Sequence, residues 1–253
     1  MDDVCGGPRD ATMVGCSRAP TNGFRLSRVR RPLRAVAVGQ RPSAEPLAMG
    51  HPDRSAGPSP LSSIGVDQPF LLILTGPPGA GKSTIGGLIA REFDRSVCIE
   101  SDWHWTTIVN GFVVQWKTEA DAQNQAVIRS FMASASRMVQ GGYTTVVEGI
   151  VGPWSLDLVR EELQEAQFLT YYVVLRPELA ACLARARGRT GDERVPGHPP
   201  LTDDEPIRLL WSLFADLGEL EHHVVDNTDL AAAQASEMIV GILERRGPEF
   251  LIT

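Results

Sequence analysis

From residue 68 onward, short apolar runs alternate with longer segments in which apolar residues recur at helical spacing. Continuous apolar runs, rather than strict alternation with polar residues, are typical of parallel strands covered on both faces. The predicted strands are Phe70–Leu74, Val97–Ile99, Thr144–Val147, Phe168–Leu175 and His223–Val225. Strands that alternate with helices predict a parallel α/β domain of three layers.

The intervening segments predict amphipathic helices. Thr118, followed three residues on by Asp121, predicts a helix start closed by a capping box. The apolar face of this helix would carry Val127, Phe131, Ala135 and Met138. A second helix is predicted after Pro177. The last would carry Ala231, Ala235, Met238, Ile242 and Leu243.

Residues 1–66 are different: they are rich in Pro, Gly, Ser and Arg, with few aromatics and no sustained period. Such a segment cannot bury enough apolar area to offset the entropy cost of ordering the chain. We therefore predict a disordered N-terminal extension over 1–66 and a folded domain over 67–253. Three origins of the extension stay open: a plain extension, a true start at Met49, or a targeting signal, against which its early aspartates argue.

The net charge of −7 is unevenly divided. Residues 1–66 contain nine Arg and five acidic residues, whereas residues 67–253 contain 15 basic and 26 acidic residues, a balance of 15 − 26 = −11. Nucleic-acid binding requires cations that neutralise phosphates, so we expect no nucleic-acid partner. No run approaches the roughly 20 apolar residues that span a bilayer, so we expect no membrane partner.

The four cysteines, Cys5, Cys16, Cys98 and Cys182, show neither C-x-x-C nor zinc-like spacing. Reduced thiols in a cytoplasmic protein are the simplest interpretation, and we expect a cytoplasmic location. Nothing in the sequence predicts the oligomeric state.

The segment LTGPPGAGKST, from Leu74 to Thr84, fits the phosphate-loop pattern G-x-x-x-x-G-K-[ST]. Glycines permit positive φ and let backbone N–H groups approach phosphate oxygens, while the following helix directs its positive end at the same anion. In this pattern Lys82 reaches the β- and γ-phosphates, Ser83 is a Mg²⁺ ligand, and Thr84 would contact the α-phosphate. We therefore predict ATP and Mg²⁺ as cofactors. The predicted nucleotide-binding residues are Gly76, Pro77, Pro78, Gly79, Ala80, Gly81, Lys82, Ser83 and Thr84.

Further short motifs follow the loop in a characteristic order. They are Glu100-Ser-Asp102, Glu148-Gly149, Leu175-Arg-Pro177, an Arg-rich helix end and a closing VVDNT. Over about residues 68–246, this order resembles the small P-loop kinases, the group of shikimate kinase, gluconate kinase and chloramphenicol phosphotransferase. The resemblance implies a P-loop NTPase fold with a five-stranded parallel sheet in the order 2-3-1-4-5 and a small mobile lid. It also implies transfer of the ATP γ-phosphate to a hydroxyl of a small molecule.

Two carboxylates are candidates for the chemistry. Ligands of an open parallel sheet bind beyond the carboxyl ends of its strands, so Asp102 and Glu148 would face the γ-phosphate. A carboxylate there holds Mg²⁺ or accepts a proton. In the resembling kinases the acid after strand two does one or both, so Asp102 is the candidate base, and Ser83, Asp102 and Glu148 are candidate metal ligands. A helix cap at Asp102 and a structural role for Glu148 stay open, and Glu100 is expected to be structural.

Arginines precede and enter a stretch rich in Gly and Pro, "GRTGDERVPGHPPLTDDEP", a composition typical of a mobile flap. Arginine can stabilise charge on a phosphoryl group in transfer. Among Arg185, Arg187, Arg189 and Arg194, we favour Arg185 and Arg189 as catalytic residues. The alternative is a solvated basic helix end.

The segment "WHWTTIVNGFVVQWK", residues 103–117, holds three of the five tryptophans. Small-molecule sites are mostly apolar with a few polar groups, so this segment is a candidate acceptor pocket. Core packing is the alternative. We expect Trp154 and Trp211 to be structural and His104 to be a packing or surface residue rather than a second base.

Three functions remain in competition: a small-molecule kinase, an NTPase switch whose phosphate acceptor is water, and a nucleotide-binding module without catalysis. No N-K-x-D guanine motif is present, and "TTVVEG" only partly fits the apolar strand ending in Asp of motor ATPases. About 180 residues leave no room for the additional elements of a motor ATPase. We therefore favour the kinase.

Overall fold

The computed structural model of the chain describes residues 68–188 and 201–252. The predicted extension at 1–66 lies outside these residues. The strands are β1 (Leu71–Thr75), β2 (Ser96–Glu100), β3 (Thr144–Glu148), β4 (Thr170–Leu175) and β5 (Val224–Val225). The helices are α1 (Lys82–Arg91), α2 (Asp102–Thr106), α3 (Asp121–Gln140), α4 (Leu156–Glu162), α5 (Leu179–Arg187), α6 (Asp204–Ser212) and α7 (Ala232–Glu244).

The five strands form one sheet in the order β2-β3-β1-β4-β5, and every neighbouring pair is parallel. This confirms the expected order 2-3-1-4-5. Each predicted strand is present with its ends shifted by at most two residues. The short strand β5 lies at one edge and β2 at the other, so all five carboxyl ends meet on one side of the sheet.

Helices cover both faces of the sheet. On one face, Leu72 and Leu74 of β1 belong to a buried cluster with residues of α1 and α7. On the other, Leu71 and Ile73 pack with residues of α3 and α4. Because successive side chains of a strand point to opposite faces, β1 is apolar throughout, and the predicted three-layer arrangement is confirmed.

The capping box predicted at Thr118 is wrong. Thr118–Ala120 forms a 3₁₀ turn, α3 begins at Asp121, and no side chain caps either start. Gln123 instead ties the preceding segment to the helix: it accepts a hydrogen bond from the Val113 amide at 2.8 Å and donates to the Val113 carbonyl at 2.7 Å. Gln123 therefore holds the segment before α3 against the helix, although no side chain caps the start of α3.

The apolar faces predicted for α3 and α7 are correct apart from their edges. Val127, Phe131 and Ala135 are buried, whereas Met138 and Met238 are exposed. Within residues 68–188 and 201–252, no helix is long and apolar enough to cross a membrane.

The turn that follows β1 lies against the end of β4. Gly76 has φ 141°, and a Cβ placed there would lie 2.1 Å from the carbonyl oxygen of Leu175. That oxygen belongs to a buried strand and cannot move away at low cost. Only glycine therefore lets the chain leave β1 this close to β4.

We expect Gly76→Ala to lower the free energy of unfolding by about 2–4 kcal/mol, because it adds both backbone strain and a clash with Leu175. Gly87→Ala, in the interior of α1, is the matched control. A Cβ at Gly87 meets no atom within 4 Å, so this change should stabilise the helix by up to about 1 kcal/mol. Urea unfolding of both variants measures the difference, and equal effects would contradict the proposed constraint.

Candidate functional site

A cavity of about 1220 Å³ opens at the carboxyl ends of the strands. The loop after β1, the start of α1, the ends of β2 and β3 and the segment that begins α6 all contribute to its walls. This is the position at which open parallel sheets bind ligands. One cavity therefore spans the predicted phosphate loop and the predicted acceptor segment.

The phosphate loop is tightly folded. Gly79 and Gly81 have φ values of 82° and 93°, and a Cβ at Gly79 would lie 2.3 Å from the Cys182 carbonyl oxygen. The Lys82 ammonium donates to the carbonyl oxygens of Gly76 and Pro77, each at 3.1 Å. The lysine thus closes the loop on itself.

The amino end of α1 faces the cavity. Gly81 occupies the N-cap position, and no side chain caps the helix. The first N–H groups of a helix have no partner within it and carry partial positive charge. Lys82, Ser83 and Thr84 line the cavity at this end, and so do Pro78, Gly79 and Gly81. The arrangement suits an anion.

Glu148 is the buried carboxylate of the site, with 4% of its surface exposed. It pairs in register with Glu100 of the neighbouring strand β2. Burial raises the pKa of the Glu148 carboxyl, while the Lys82 ammonium and a hydrogen bond from the Ser83 hydroxyl act in the opposite direction. Glu100, expected to be structural, lies in the cavity wall. A cluster of carboxylates therefore stands beside the loop.

Asp102 is the first residue of α2, and its exposed side chain lies in the cavity wall. The N-cap position belongs to Ser101, without a side-chain hydrogen bond to the helix, so Asp102 does not act as the cap. The start of α2 approaches β3 closely, because a Cβ at Gly149 would lie 1.9 Å from the Ser101 hydroxyl oxygen. Gly149 thus allows Asp102 to stand near Glu148, whose pKa it raises further.

The described arginines hold structural elements together. Arg185 lines the cavity and donates to the carbonyl oxygens of Asn227 and Thr228 at 2.9 and 2.8 Å. Arg187 binds Asp204 at the start of α6, with Nε 3.1 Å from Oδ1. Arg189 and Arg194, and with them the predicted flap, lie outside the described residues.

Asn227 was not predicted as a site residue. It follows β5, is buried, and lines the cavity. Its amide nitrogen donates to the Ala80 carbonyl at 2.9 Å, and its Oδ1 is buried without a partner. The closing motif VVDNT marked this position in the sequence, but only the fold brings it against the phosphate loop.

The tryptophans divide into two groups. Trp105 and Trp116 line the cavity, as predicted for the segment 103–117, whereas Trp103 is not among the lining residues. Trp154, expected to be structural, also lines the cavity. It lies over Gly152, where a Cβ would be 2.1 Å from the indole ring. Trp211 donates from its indole to the Pro177 carbonyl at 2.9 Å, in agreement with a structural role.

His104 packs beside the cavity instead of lining it. Its ring meets that of Phe131 edge-on, with the centroids 5.7 Å apart, and its Nδ1 is buried without a partner. Burial lowers the pKa of the imidazole, against a hydrogen bond to the Glu100 backbone. This placement agrees with a packing role.

Comparisons with known proteins agree with this geometry. The sequence profile of a family described as "AAA domain" matches residues 72–197, just under half of the chain. A sugar kinase from Janibacter sp. HTCC2649 superposes with a TM-score of 0.52 at 17% identity, over 72% of this chain and 98% of that one. The tunicamycin resistance protein of Deinococcus radiodurans gives 0.51 at 14% identity, over 70% of this chain and 96% of that one. No curated protein sequence matches significantly.

The sheet order, the loop and these comparisons define the fold as that of a P-loop NTPase. Within that class, the chain resembles the small P-loop kinases, as its sequence motifs indicated. At these identities the solved structures establish the fold alone.

The buried carboxyl of Glu148 predicts a pH-dependent stability. Its pKa is raised above the ordinary 4.5 in the folded protein, so the unfolded chain loses this proton first as the pH rises. Protonated Glu148 therefore contributes its full stabilisation below pH 4.5. This stabilisation is lost as the pH rises through the pKa that Glu148 has in the folded protein. Glu148→Gln removes this titration. Without nucleotide, the variant should be the more stable protein at about pH 8 and lose its advantage towards about pH 5, as measured by urea unfolding. A pH-independent difference would contradict the assignment.

Proposed function

We propose that the protein transfers the γ-phosphate of ATP to a hydroxyl group of a small molecule. One observation carries the proposal: a single cavity joins the phosphate loop to an aromatic-walled space, with Asp102 and Glu148 in its wall. A motor or switch needs a site for phosphates and one water molecule, whereas this cavity has room for a second substrate.

In this proposal the loop and the amino end of α1 bind the donor. Backbone N–H groups of the loop surround the β- and γ-phosphates, and the Lys82 ammonium moves from the carbonyls it now contacts to the phosphate oxygens. Thr84 lies further along the same helix end and would reach the α-phosphate. These contacts fix the γ-phosphorus for in-line attack and neutralise charge that develops on it.

The residues present fit Mg²⁺. Its preferred ligands are oxygens, which Ser83, Asp102 and Glu148 supply directly or through water. Among the described residues, no cluster of three or more His, Cys, Asp and Glu side chains could hold a metal ion by itself. When bound, Mg²⁺ would supply neutralisation of phosphate charge.

Asp102 is the proposed base. It is exposed to the cavity, so an acceptor hydroxyl can reach it and donate its proton there as the phosphorus is attacked. Glu148 is buried and better placed to orient the neighbouring groups than to exchange protons with a substrate.

Arg185 and Arg189 complete the proposed machinery. The contacts of Arg185 with two backbone carbonyls support a role in holding the segment after β5 beside the donor. Charge stabilisation by Arg185, and any role of Arg189, stay proposals. So do a cytoplasmic location, which rests on the spacing of the cysteines, the lack of a membrane partner, which rests on the lengths of the apolar runs, and the lack of a nucleic-acid partner, which rests on the acidic balance of residues 67–253.

We expect ATP consumption to depend on an acceptor. Purified protein with Mg²⁺ and radiolabelled ATP should release little inorganic phosphate alone and form a labelled organic phosphate when a suitable alcohol is added. The check is separation of the labelled products over a panel of hydroxyl compounds. Full-rate hydrolysis that no alcohol changes, with no phosphorylated product, would overturn the kinase and favour the ATPase.

We expect Asp102→Asn to retain ATP binding and to lower transfer by about 10²–10⁴-fold, because the amide cannot accept the proton. Lys82→Ala is the comparison variant: it should abolish turnover by removing the cation that stabilises the transferring group. Nucleotide affinity and the single-turnover transfer rate separate the two effects. If transfer survives in Asp102→Asn, Asp102 is not the base.

A further inference from the structure

Part of the cavity wall, the acceptor side of the proposed function, is apolar. Its residues come from separate parts of the chain and include Trp105, Trp116, Phe131, Trp154, Leu209 and Leu213. Trp154 and Leu209 are 55% and 51% exposed, and Trp116 and Leu213 are also exposed. Large apolar side chains gathered around a concavity, rather than scattered singly, mark a binding site.

The fold fixes the two leucines in this wall. Leu209 belongs to α6, and Leu213 follows its last residue, Ser212. Leu210 of the same helix is buried and also lines the cavity, whereas Ile207 is buried against α5. The Arg187–Asp204 pair ties the start of α6 to α5 as well. These contacts hold α6 in place with Leu209 in the cavity wall.

The charged residues of the wall are few. Of the described residues that line the cavity, the cations are Lys82 and Arg185, which contact backbone carbonyls of the phosphate loop and of the segment after β5. The acids Glu100, Asp102 and Glu148 line the same cavity. A carboxylate or phosphate on the acceptor would be desolvated near like charges.

One polar atom of the wall is a hydrogen-bond acceptor without a partner. Asn124 lines the cavity, and its amide nitrogen donates to the Gln115 carbonyl at 2.7 Å. Its Oδ1 is buried and has no partner. A buried acceptor of this kind is costly unless a ligand hydroxyl or N–H satisfies it.

We infer that the acceptor side of the cavity binds an alcohol that carries a bulky aromatic or branched apolar group and no negative charge. The inference rests on the proposed function of the same site and narrows its second substrate. The cavity volume is sufficient for a nucleotide together with such a molecule.

Four small compounds test the effect of an aromatic ring and the effect of a negative charge on the ligand separately. 3-Phenylpropane-1,2-diol is neutral with a ring, 3-phenyllactate is its anionic counterpart, and glycerol and glycerate are the pair without the ring. Calorimetric titration of the full chain, with a non-hydrolysable ATP analogue and Mg²⁺ present, gives the affinity of each. We expect the phenyl diol to bind at least about tenfold more tightly than glycerol, because it buries the ring. The affinity for the phenyl diol should exceed the affinity for phenyllactate by a similar factor. Equal affinities, or a preference for either anion, would overturn the inference.

The contribution of Leu209 to binding is tested by Leu209→Gln, with Met238→Gln as the matched control. Both residues are exposed and apolar and lie on helices, but Met238 is on α7 and does not line the cavity. Leu209→Gln should weaken binding of the phenyl diol about five- to tenfold and leave glycerol unchanged, whereas Met238→Gln should change neither. Loss of affinity in both variants, or in neither, would contradict the assignment of the wall.

The same mixtures with labelled ATP test the proposed function separately. Preferential binding of the phenyl diol without any labelled product would support the inferred ligand class and contradict the proposed phosphotransferase activity. A labelled product formed from glycerate but not from the phenyl diol would keep the phosphotransferase and overturn the ligand class.

Discussion

The close approach of three backbone segments at the carboxyl edge of the sheet is the constraint on which the site depends. The loop after β1 touches the end of β4 at Gly76 and the backbone of α5 at Gly79, at distances that leave no space for a Cβ. Asn227 ties the same loop to the segment after β5. Because strand and helix backbones are rigid, these contacts fix the direction in which α1 begins, and with it the positions of Lys82 and Ser83.

That placement sets up the electrostatics. A helix start and a lysine bring positive charge to one point, and the end of β3 brings a buried carboxylate to the same point. Burial raises the pKa of the Glu148 carboxyl more than the Lys82 ammonium lowers it. A bound cation would favour the ionised form of Glu148. The nucleotide-free protein is thereby less stable, because it keeps a buried carboxylate beside the phosphate site.

The strands and the loop could be predicted from the sequence because their signals are local. Five apolar runs and one Gly-rich pattern indicate the strands, the helices between them and the phosphate loop, whereas the order of the strands came from the resemblance to the small P-loop kinases. The predicted capping box is absent, and Gln123 and Asn124 instead make contacts with residues 113–115 that no local pattern encodes. Trp154 and Asn227 were missed as site residues for the same reason: each depends on which loops the finished sheet brings together.

The cavity wall consequently combines two kinds of chemistry. At the phosphate loop, the glycines and the helix start remove side chains from the surface, so that backbone amides and one lysine face the cavity. Elsewhere in the wall, α6 and Trp154 add large apolar side chains that water solvates poorly. In the proposed function, an acceptor with an apolar group would exclude water from the carboxylates of the same cavity, and hydrolysis by water would be disfavoured. Under that proposal, the side chains that select the acceptor would also suppress hydrolysis of the nucleotide.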